Sequence, residues 1–328
     1  MGWFAKWKST PATTPAGWHP APDRPGFLRW WDGQAWSDRY RPESEQVRAE
    51  PGRARMKGYR TATPSGRAVE PWARATVWQN VVGESHYDSA FRALLKQSRL
   101  PRGEYGTELT GLPAAVVADP GNPHDANAVA VWVQGELVGF LPRDIAASYH
   151  PALADLAERG EYLGVEARVW VSTDGGEVRG SATLVLPPPE GVQSFNEPPE
   201  EPHQVLPLGG AIQVTGEDQH MDVLGQYVAD RDRYVAVTLH GLDVQKTPRS
   251  SPYRCVEVRL DGKRVGELTK AMSEKIIDVV DYVEQKGRLP LCRAVLRGSP
   301  LRAELTLQVA KAHEVTRRWL DDVEPVTA

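Results

Sequence analysis

The stretch "NPHDANAVAVWVQGELVGFLP", Asn122 to Pro142, decides the fold of the central part of the chain. Its valines alternate along the chain from Val129 to Val133, as they do in a half-buried β-strand. The dipeptide Gln134-Gly135 then marks a two-residue hairpin turn, and "LVGFL" is the return strand. Gly139 lies inside that return strand, where a missing side chain predicts a bulge or a close approach of two backbones.

The same pattern occurs a second time. The stretch from Ala128 to Gly160 aligns without a gap, at an offset of 127, with the stretch from Cys255 to Gly287. Upstream, "VVGES" at 81–85 resembles "VTGED" at 214–218 at an offset of 133. The Asp-Gly dipeptide at 261–262 is a stronger hairpin signal than its counterpart in the first copy. A shared offset over more than thirty residues predicts a tandem repeat.

A helix is predicted after each hairpin. In the second copy Thr269 is a candidate N-cap, and Gly287 is placed to end the helix. The residues predicted to share the buried helical face are Ile276, Val279, Val280 and Val283, and in the first copy Tyr149, Ala152, Leu153 and Leu156. The predicted fold class is therefore mostly β with α: two small curled sheets or barrels, each with a helix.

Composition limits the classes of function. The chain has 328 residues, a formal net charge of −4 and two cysteines, Cys255 and Cys292. So few cysteines fit a reducing cytoplasm, and their aligned positions predict buried thiols. No apolar run suits a signal peptide or a membrane span. Because no P-loop, nucleophile elbow or metal-binding spacing is found, we expect a cytoplasmic protein that is not an enzyme and has no cofactor.

Changes in composition predict six segments. They are a Trp-rich module at 15–42, a disordered basic linker at 43–74, a first repeat at 75–187, a Pro-rich spacer at 188–205, a second repeat at 206–315 and a tail at 316–328. The first linker has little periodicity, and eight basic and four acidic residues lie between positions 41 and 74. The prolines of the second linker predict a semi-stiff spacer.

The first repeat resembles the HIRAN domain family. The resemblance rests on "VVGESHY", the Asn-Pro-x-Asp-x-Asn-Ala turn, the alternating strand and the "VGFL" hairpin, and it spans about 76–187. The family is similar to OB-fold barrels, and its best-known members bind the 3′ end of single-stranded DNA. The resemblance therefore implies single-stranded DNA or DNA 3′ ends as the partner. A repair helicase or nuclease acting in trans is a further possible partner.

The resemblance also implies which residues form the site. They are His86 and Tyr87 after the first strand, and Asn122, His124 and Asp125 in the turn. A carboxylate such as Asp125 would accept a hydrogen bond from a free 3′-hydroxyl. Tyr87 and His124 offer flat faces for base stacking. The family usually has a tyrosine where this chain has His124, and a histidine makes affinity dependent on pH.

Two observations favour other interpretations. Asn and Asp form turns by bonding to their own backbone, so the cluster could be a turn and nothing more. Between positions 75 and 190 there are eight basic and fifteen acidic residues, a net of −7, whereas a protein that follows a phosphate backbone should be basic. The alternative function is therefore a protein-interaction adaptor.

The second repeat, 206–315, is predicted to be a degenerate HIRAN-like copy that lacks the site. It has "RSSPYRC" at 249–255 where the first has "NPHDANA". We therefore expect end binding in the first repeat only, with the second serving as a packing partner or as a contact for phosphates.

The N-terminal module is Trp-rich. The segment "GWHPAPDRPGFLRWWDGQAW" resembles a short bacterial domain of unknown function, and Asp32-Gly33 marks a hairpin in it. Since so short a module buries little surface, Trp18, Trp30, Trp31 and Trp36 are predicted to form its core. An aromatic groove for proline-rich peptides is the alternative.

Overall fold

The computed structural model describes residues 17–22, 27–31, 35–42, 61–100, 103, 106–174, 177–245, 249 and 251–326. The chain forms two compact units, Met1–Tyr59 and Arg60–Ala328.

The first unit contains a three-stranded antiparallel sheet. Its strands, in spatial order, are β1 (Gly17–Pro20), β2 (Phe27–Trp31) and β3 (Trp36–Pro42). Trp31 pairs with Trp36, and the centroids of their rings are 5.1 Å apart. The dipeptide at 32–33 and the side chains of Trp18 and Trp30 lie outside the described residues, so the predicted four-tryptophan core stays a prediction for those two.

The second unit contains two seven-stranded sheets. The first comprises β4 (Arg67–Val69), β5 (Val77–Asn80), β6 (Thr107–Ala118), β7 (Val129–Val133), β8 (Glu136–Phe140), β9 (Glu161–Asp174) and β10 (Glu177–Leu186). The second comprises β11 (His203–Val205), β12 (Ala211–Gln213), β13 (Arg233–Val244), β14 (Tyr253–Leu260), β15 (Lys263–Glu267), β16 (Leu289–Ser299) and β17 (Arg302–Gln308). We call them the first barrel and the second barrel.

The two barrels have corresponding strand orders. The first runs β5-β10-β9-β6-β7-β8, and β4 pairs with β9 in addition; the second runs β12-β17-β16-β13-β14-β15, and β11 pairs with β16. Each sheet curls so that its two ends meet. Val82, two residues after β5, pairs with Phe140 of β8, and Thr215, two residues after β12, pairs with Glu267 of β15. The predicted class, mostly β with a helix on each curled sheet, is confirmed.

The hairpin chemistry follows the prediction. Gln134 and Gly135 have φ values of 48° and 85°, the left-handed pair that a two-residue hairpin turn needs. Within the return strand Gly139 has φ 150°, and a Cβ there would lie 2.5 Å from the carbonyl oxygen of Val82. The register of β7 against β8 also shifts between Val131 and Trp132. Both a bulge and a close backbone approach are therefore present.

Five α-helices accompany the sheets in the described part of the chain. They are α1 (Asp88–Ser98), α2 (Arg143–Glu158), α3 (Met221–Leu224), α4 (Lys270–Gln285) and α5 (Arg317–Asp321). Thr269 caps α4 by accepting a hydrogen bond from the Met272 amide, as predicted. All four residues of the predicted face of α4 are buried. In α2, Tyr149, Leu153 and Leu156 are buried, and Ala152 packs against the core.

Helix α1 was not predicted. The expected Gly-containing first strand ends at Asn80, and Gly83, with φ 83°, starts a 3-10 turn over Glu84–His86 that leads into α1. Phe91 enters the core of the first barrel, where its ring fills the space beside Gly180. Ala90, Phe91, Leu94 and Leu95 are all buried. Their spacing was a helical signal, but it covers only three turns next to a strand motif.

The predicted disordered linker at 43–74 is wrong for its described part, residues 61–74, which we call the strap. Strand β4 pairs in parallel with β9 of the first barrel. Trp72 and Ala73 are buried, and the Trp72 indole donates to the Val235 carbonyl of the second barrel at 2.9 Å. Partners distant in sequence therefore order a segment whose own composition predicts disorder. Residues 43–60 lie outside the described part of the chain.

The strap surrounds a buried arginine of the second barrel. Arg293 is buried and donates to the carbonyls of Pro71 and Leu206, both at 3.2 Å, and to Glu70 at 3.0 Å. Its guanidinium carbon lies 5.5 Å from the centroid of the Trp72 ring. A buried cation must be hydrogen-bonded to be tolerated, so the strap stabilises the second barrel while it pairs with the first.

The predicted spacer at 188–205 is also packed. The Phe195 amide donates to the Tyr234 carbonyl at 2.7 Å, and Asn196 bonds to both backbone groups of Ala236. Its last residues form β11, which pairs in parallel with β16. These hydrogen bonds and the strand pairing hold the segment against the second barrel, so it does not act as a spacer that separates two domains.

The tail packs as well, because Tyr282 donates to the Leu320 carbonyl at 2.9 Å. The boundaries between domains stay a prediction.

Both cysteines are buried, as predicted. Burial raises the pKa of the Cys292 thiol to about 12. Each therefore serves as a small apolar core residue.

Candidate functional site

The polar turn between β6 and β7 is built on Asn122. Its side-chain oxygen accepts from the His124 amide at 3.0 Å, and its side-chain nitrogen donates to Asp119 at 3.2 Å. Its own amide donates to the Asp119 carbonyl at 3.0 Å. Asn122 thus shapes the turn, which is the structural role predicted for an asparagine at such a position.

Asp125 is held from two sides. One carboxylate oxygen accepts from the Asn127 amide at 2.9 Å, and the other accepts from the Nε of Arg143 at 3.1 Å. Its side chain is 19% exposed. A carboxylate has about four acceptor positions, and these two bonds use two of them. Asp125 therefore orders the turn and keeps acceptor capacity for a further donor.

Arg143 is the functional candidate that the sequence analysis missed. It is the first residue of α2, its side chain is 75% exposed, and it also donates to the His124 carbonyl at 3.0 Å. A cation is unfavourable at the positive end of a helix, so the Asp125 carboxylate offsets that cost. A signal was available, since Arg143 is the only Lys or Arg between positions 103 and 158.

Tyr87 lies beside this turn. It is half-buried against the core of the first barrel, and its ring centroid is 6.4 Å from that of Phe140. Burial raises the pKa of its phenol, and the negative charge of Asp119 raises it further. Tyr87 therefore stays a neutral donor at physiological pH.

Asp119 connects the turn to the strap. Its side chain is 6% exposed, and it accepts from both Asn122 and the Thr61 hydroxyl, the latter at 3.3 Å. The same segment that carries Thr61 inserts Trp72 into the second barrel. Asp119 was not predicted as a site residue, because an Asp-Pro step in sequence indicates only a turn.

The two histidines lie at the surface. His86 ends the 3-10 turn just before Tyr87, and His124 projects from the polar turn; both are exposed. The structure thus brings Asn122 and Asp125 together in one turn, held by Asp119 and Arg143, and places Tyr87 against Phe140. It places both histidines on the exposed outside of that cluster.

The fold and site define a small β-barrel domain with a polar, cation-clamped turn at its surface. The family model described as the HIRAN domain matches residues 101–179, and the recognition of this domain is confirmed. The match supports nucleic-acid binding in general. It includes Asn122, His124, Asp125 and Arg143, and it excludes His86 and Tyr87. It lies within the first barrel, so a second copy of the domain stays a prediction.

The other comparisons add the following. A family model described as a protein of unknown function, DUF2510, matches residues 16–49. None of the curated proteins matches the chain. A solved structure, the HIRAN domain of human HLTF, is 16% identical with a TM-score of 0.20, and the alignment covers 37% of this chain and 81% of that one.

Two further features are absent from the described residues. No helix in the described part of the chain is long and apolar enough to cross a membrane. No group of three or more His, Cys, Asp or Glu side chains in that part could hold a metal ion.

Proposed function

We propose that this chain is a non-catalytic protein that binds single-stranded DNA and captures its 3′ end at the turn around Asp125. The observation that carries the proposal is the pair formed by Asp125 and Arg143 inside the HIRAN match. This pair leaves both a carboxylate acceptor and an exposed guanidinium at one surface position.

The chemistry of the turn suits a nucleic-acid end. Asp125 accepts the hydrogen bond of the 3′-hydroxyl. Arg143 has five N–H donors, and those not used on Asp125 and His124 reach the last phosphate. Tyr87 and Phe140 present aromatic faces to the last base. Arg143 thus supplies a local positive charge within a region whose net charge is negative.

The role follows from this binding mode. A protein that captures ends without processing them would bring DNA ends to an enzyme encoded elsewhere, such as a repair helicase or nuclease. We propose DNA repair or processing as the setting.

The test compares three labelled oligonucleotides of one sequence by fluorescence anisotropy with the full chain. They carry a free 3′-hydroxyl, a 3′-phosphate or a 5′-phosphate. We expect the 3′-phosphate to weaken binding, because the Asp125 carboxylate repels it, and the 5′-phosphate to have little effect. Equal affinity for the first two would contradict end capture.

A protein-interaction adaptor is the second candidate function. A groove of about 1070 Å³ lies where the strap and the two barrels meet, and its walls include Trp132, Tyr162 and Trp319. The Trp132 indole N–H is buried and has no hydrogen-bond partner among the described residues, so a bound ligand would satisfy it. A salt series separates the candidates, because binding to phosphates weakens steeply with ionic strength and apolar binding does not.

A further inference from the structure

We call the turn around Asp125, with Arg143, the end site. The outer surface of the first barrel carries two exposed tryptophans outside it. Trp78 on β5 is 63% exposed, and Trp170 on β9 is 41% exposed. Tryptophan is highly buried on average, so two such side chains on one small barrel call for an explanation.

The strand registers put both tryptophans on the same side of the sheet. Val185 of β10 lies opposite Trp78, and Ser181 of β10 lies opposite Trp170. Opposed residues in antiparallel strands point to one face, and so do residues four apart on one strand. The intervening Leu184 is buried in the core. Trp78 and Trp170 therefore both point outward.

Polar residues lie between them. Thr183 pairs with Asn80 on one side and with Arg168 on the other. Arg168 donates through Nε to Glu108, and its side chain remains about half exposed, at 54%. We call Trp78, Asn80, Arg168 and Trp170 the tryptophan face.

This face continues to the end site. Val82 follows Asn80 by two residues, so it points the same way, and it is 42% exposed. It bridges to Phe140, whose ring lies 6.4 Å from that of Tyr87. At about 3.3 Å per residue, Trp78 and Val82 are about 13 Å apart along the strand. A single strand of DNA that leaves the end site can therefore pass directly onto the tryptophan face.

We propose that the tryptophan face binds the nucleotides that precede the captured 3′ end, by stacking bases on Trp78 and Trp170. The inference rests on the proposed function and extends its site. Single-stranded DNA fits because flat aromatic faces accept any base, and Arg168 between them can contact a phosphate. The side chains between the tryptophans are those of Asn80, Thr183 and Arg168, so the face combines aromatic and polar groups, as a surface for bases and phosphates does.

The test uses the full chain and two 5′-labelled oligothymidines with free 3′-hydroxyls, a trinucleotide and a dodecanucleotide. The variants are Trp78→Ala, Trp170→Ala and the conservative Trp78→Phe. Phe195→Ala is the control, because Phe195 is also an exposed aromatic residue, 50% exposed, and packs beside Arg233 of the second barrel.

Wild type should bind the dodecanucleotide more tightly than the trinucleotide. Each alanine variant should weaken dodecanucleotide binding by roughly 5- to 100-fold and leave trinucleotide binding nearly unchanged. Trp78→Phe should retain most of the affinity, and Phe195→Ala all of it.

Other outcomes separate the two proposals. If wild type binds both lengths equally and the alanine variants match it, the tryptophan face does not bind DNA, and end capture stands. If the alanine variants weaken both lengths equally, the face is not a separate extension. If wild type binds neither oligonucleotide, the proposed function and this inference both fail.

Discussion

Asp125 has a structural partner and a proposed ligand on the same carboxylate. Its bonds to the Asn127 amide and to Arg143 fix the turn. The remaining acceptor positions are what a hydroxyl would use. Turn formation and end recognition are therefore not alternatives at this residue, and a substitution can separate them.

The substitution Asp125→Asn should leave stability nearly unchanged and weaken binding. The amide oxygen of Asn can still accept from the Asn127 amide. Loss of an ion pair with an exposed arginine costs at most about 1 kcal/mol. A hydrogen bond to a charged group is worth about 1.5–3 kcal/mol, so affinity for a free 3′ end should fall about tenfold or more. Anisotropy titration and thermal melting measure the two effects.

Asp144→Asn is the matched control. Asp144 is exposed, lies next to Arg143 in the first turn of α2, and loses the same charge on substitution. It should bind like wild type. If both variants lose affinity equally, a general charge effect explains the result. If Asp125→Asn folds and binds unchanged, Asp125 does not read the end.

The sequence allowed prediction of the turn residues but not of their hydrogen-bond partners elsewhere in the chain. Asn122 and Asp125 lie within a local motif, and their bonds to neighbouring amides follow from that motif. Arg143 lies 18 positions beyond Asp125, and Thr61 lies 58 positions before Asp119. Such partners are brought together by tertiary folding, and local sequence patterns do not predict which distant residues meet.

At the level of elements, the strap is the segment for which composition gave a wrong prediction. Its Arg, Pro and Gly content is typical of disorder. Its order comes from long-range interactions, among them β4 with β9, Trp72 with Val235, and Arg293 with the carbonyl of Pro71. The hairpins and α4 were predictable because their signals are local dipeptides, caps and periodicity.

Trp72→Ala should destabilise the second unit strongly. The change removes a buried indole, its bond to the Val235 carbonyl and its contact with Arg293. Burial of this size predicts a loss of about 3–5 kcal/mol in the free energy of unfolding. Chemical denaturation of the full chain measures it.

Trp78→Ala is the control for stability, because it removes the same type of residue from an exposed position, whereas Trp72 is buried. Its cost should stay near 0.5 kcal/mol. Equal losses for the two variants would show that the strap does not hold the barrels.

For the whole molecule, the repeat pattern predicts two copies of one curled sheet, and the two sheets have corresponding strand orders. The shared offset of 127 covers the hairpin and the helix of each copy. It carries nothing about how the copies join, because the strap and the segment 188–205 lie outside the aligned stretches. The junction is therefore the part of the fold that the repeat could not supply.

The strap has a consequence for a chain that has been cut. A glutamate-specific protease should cleave after Glu200, which is exposed in the segment between the barrels. The first fragment would keep the strap and the second would keep Arg293 and Val235. Because Trp72 and Arg293 interact without any covalent link, the two fragments should elute together at the size of the intact protein. With Trp72→Ala the association of the fragments should weaken, because the indole bond to the Val235 carbonyl and the contact with Arg293 are lost.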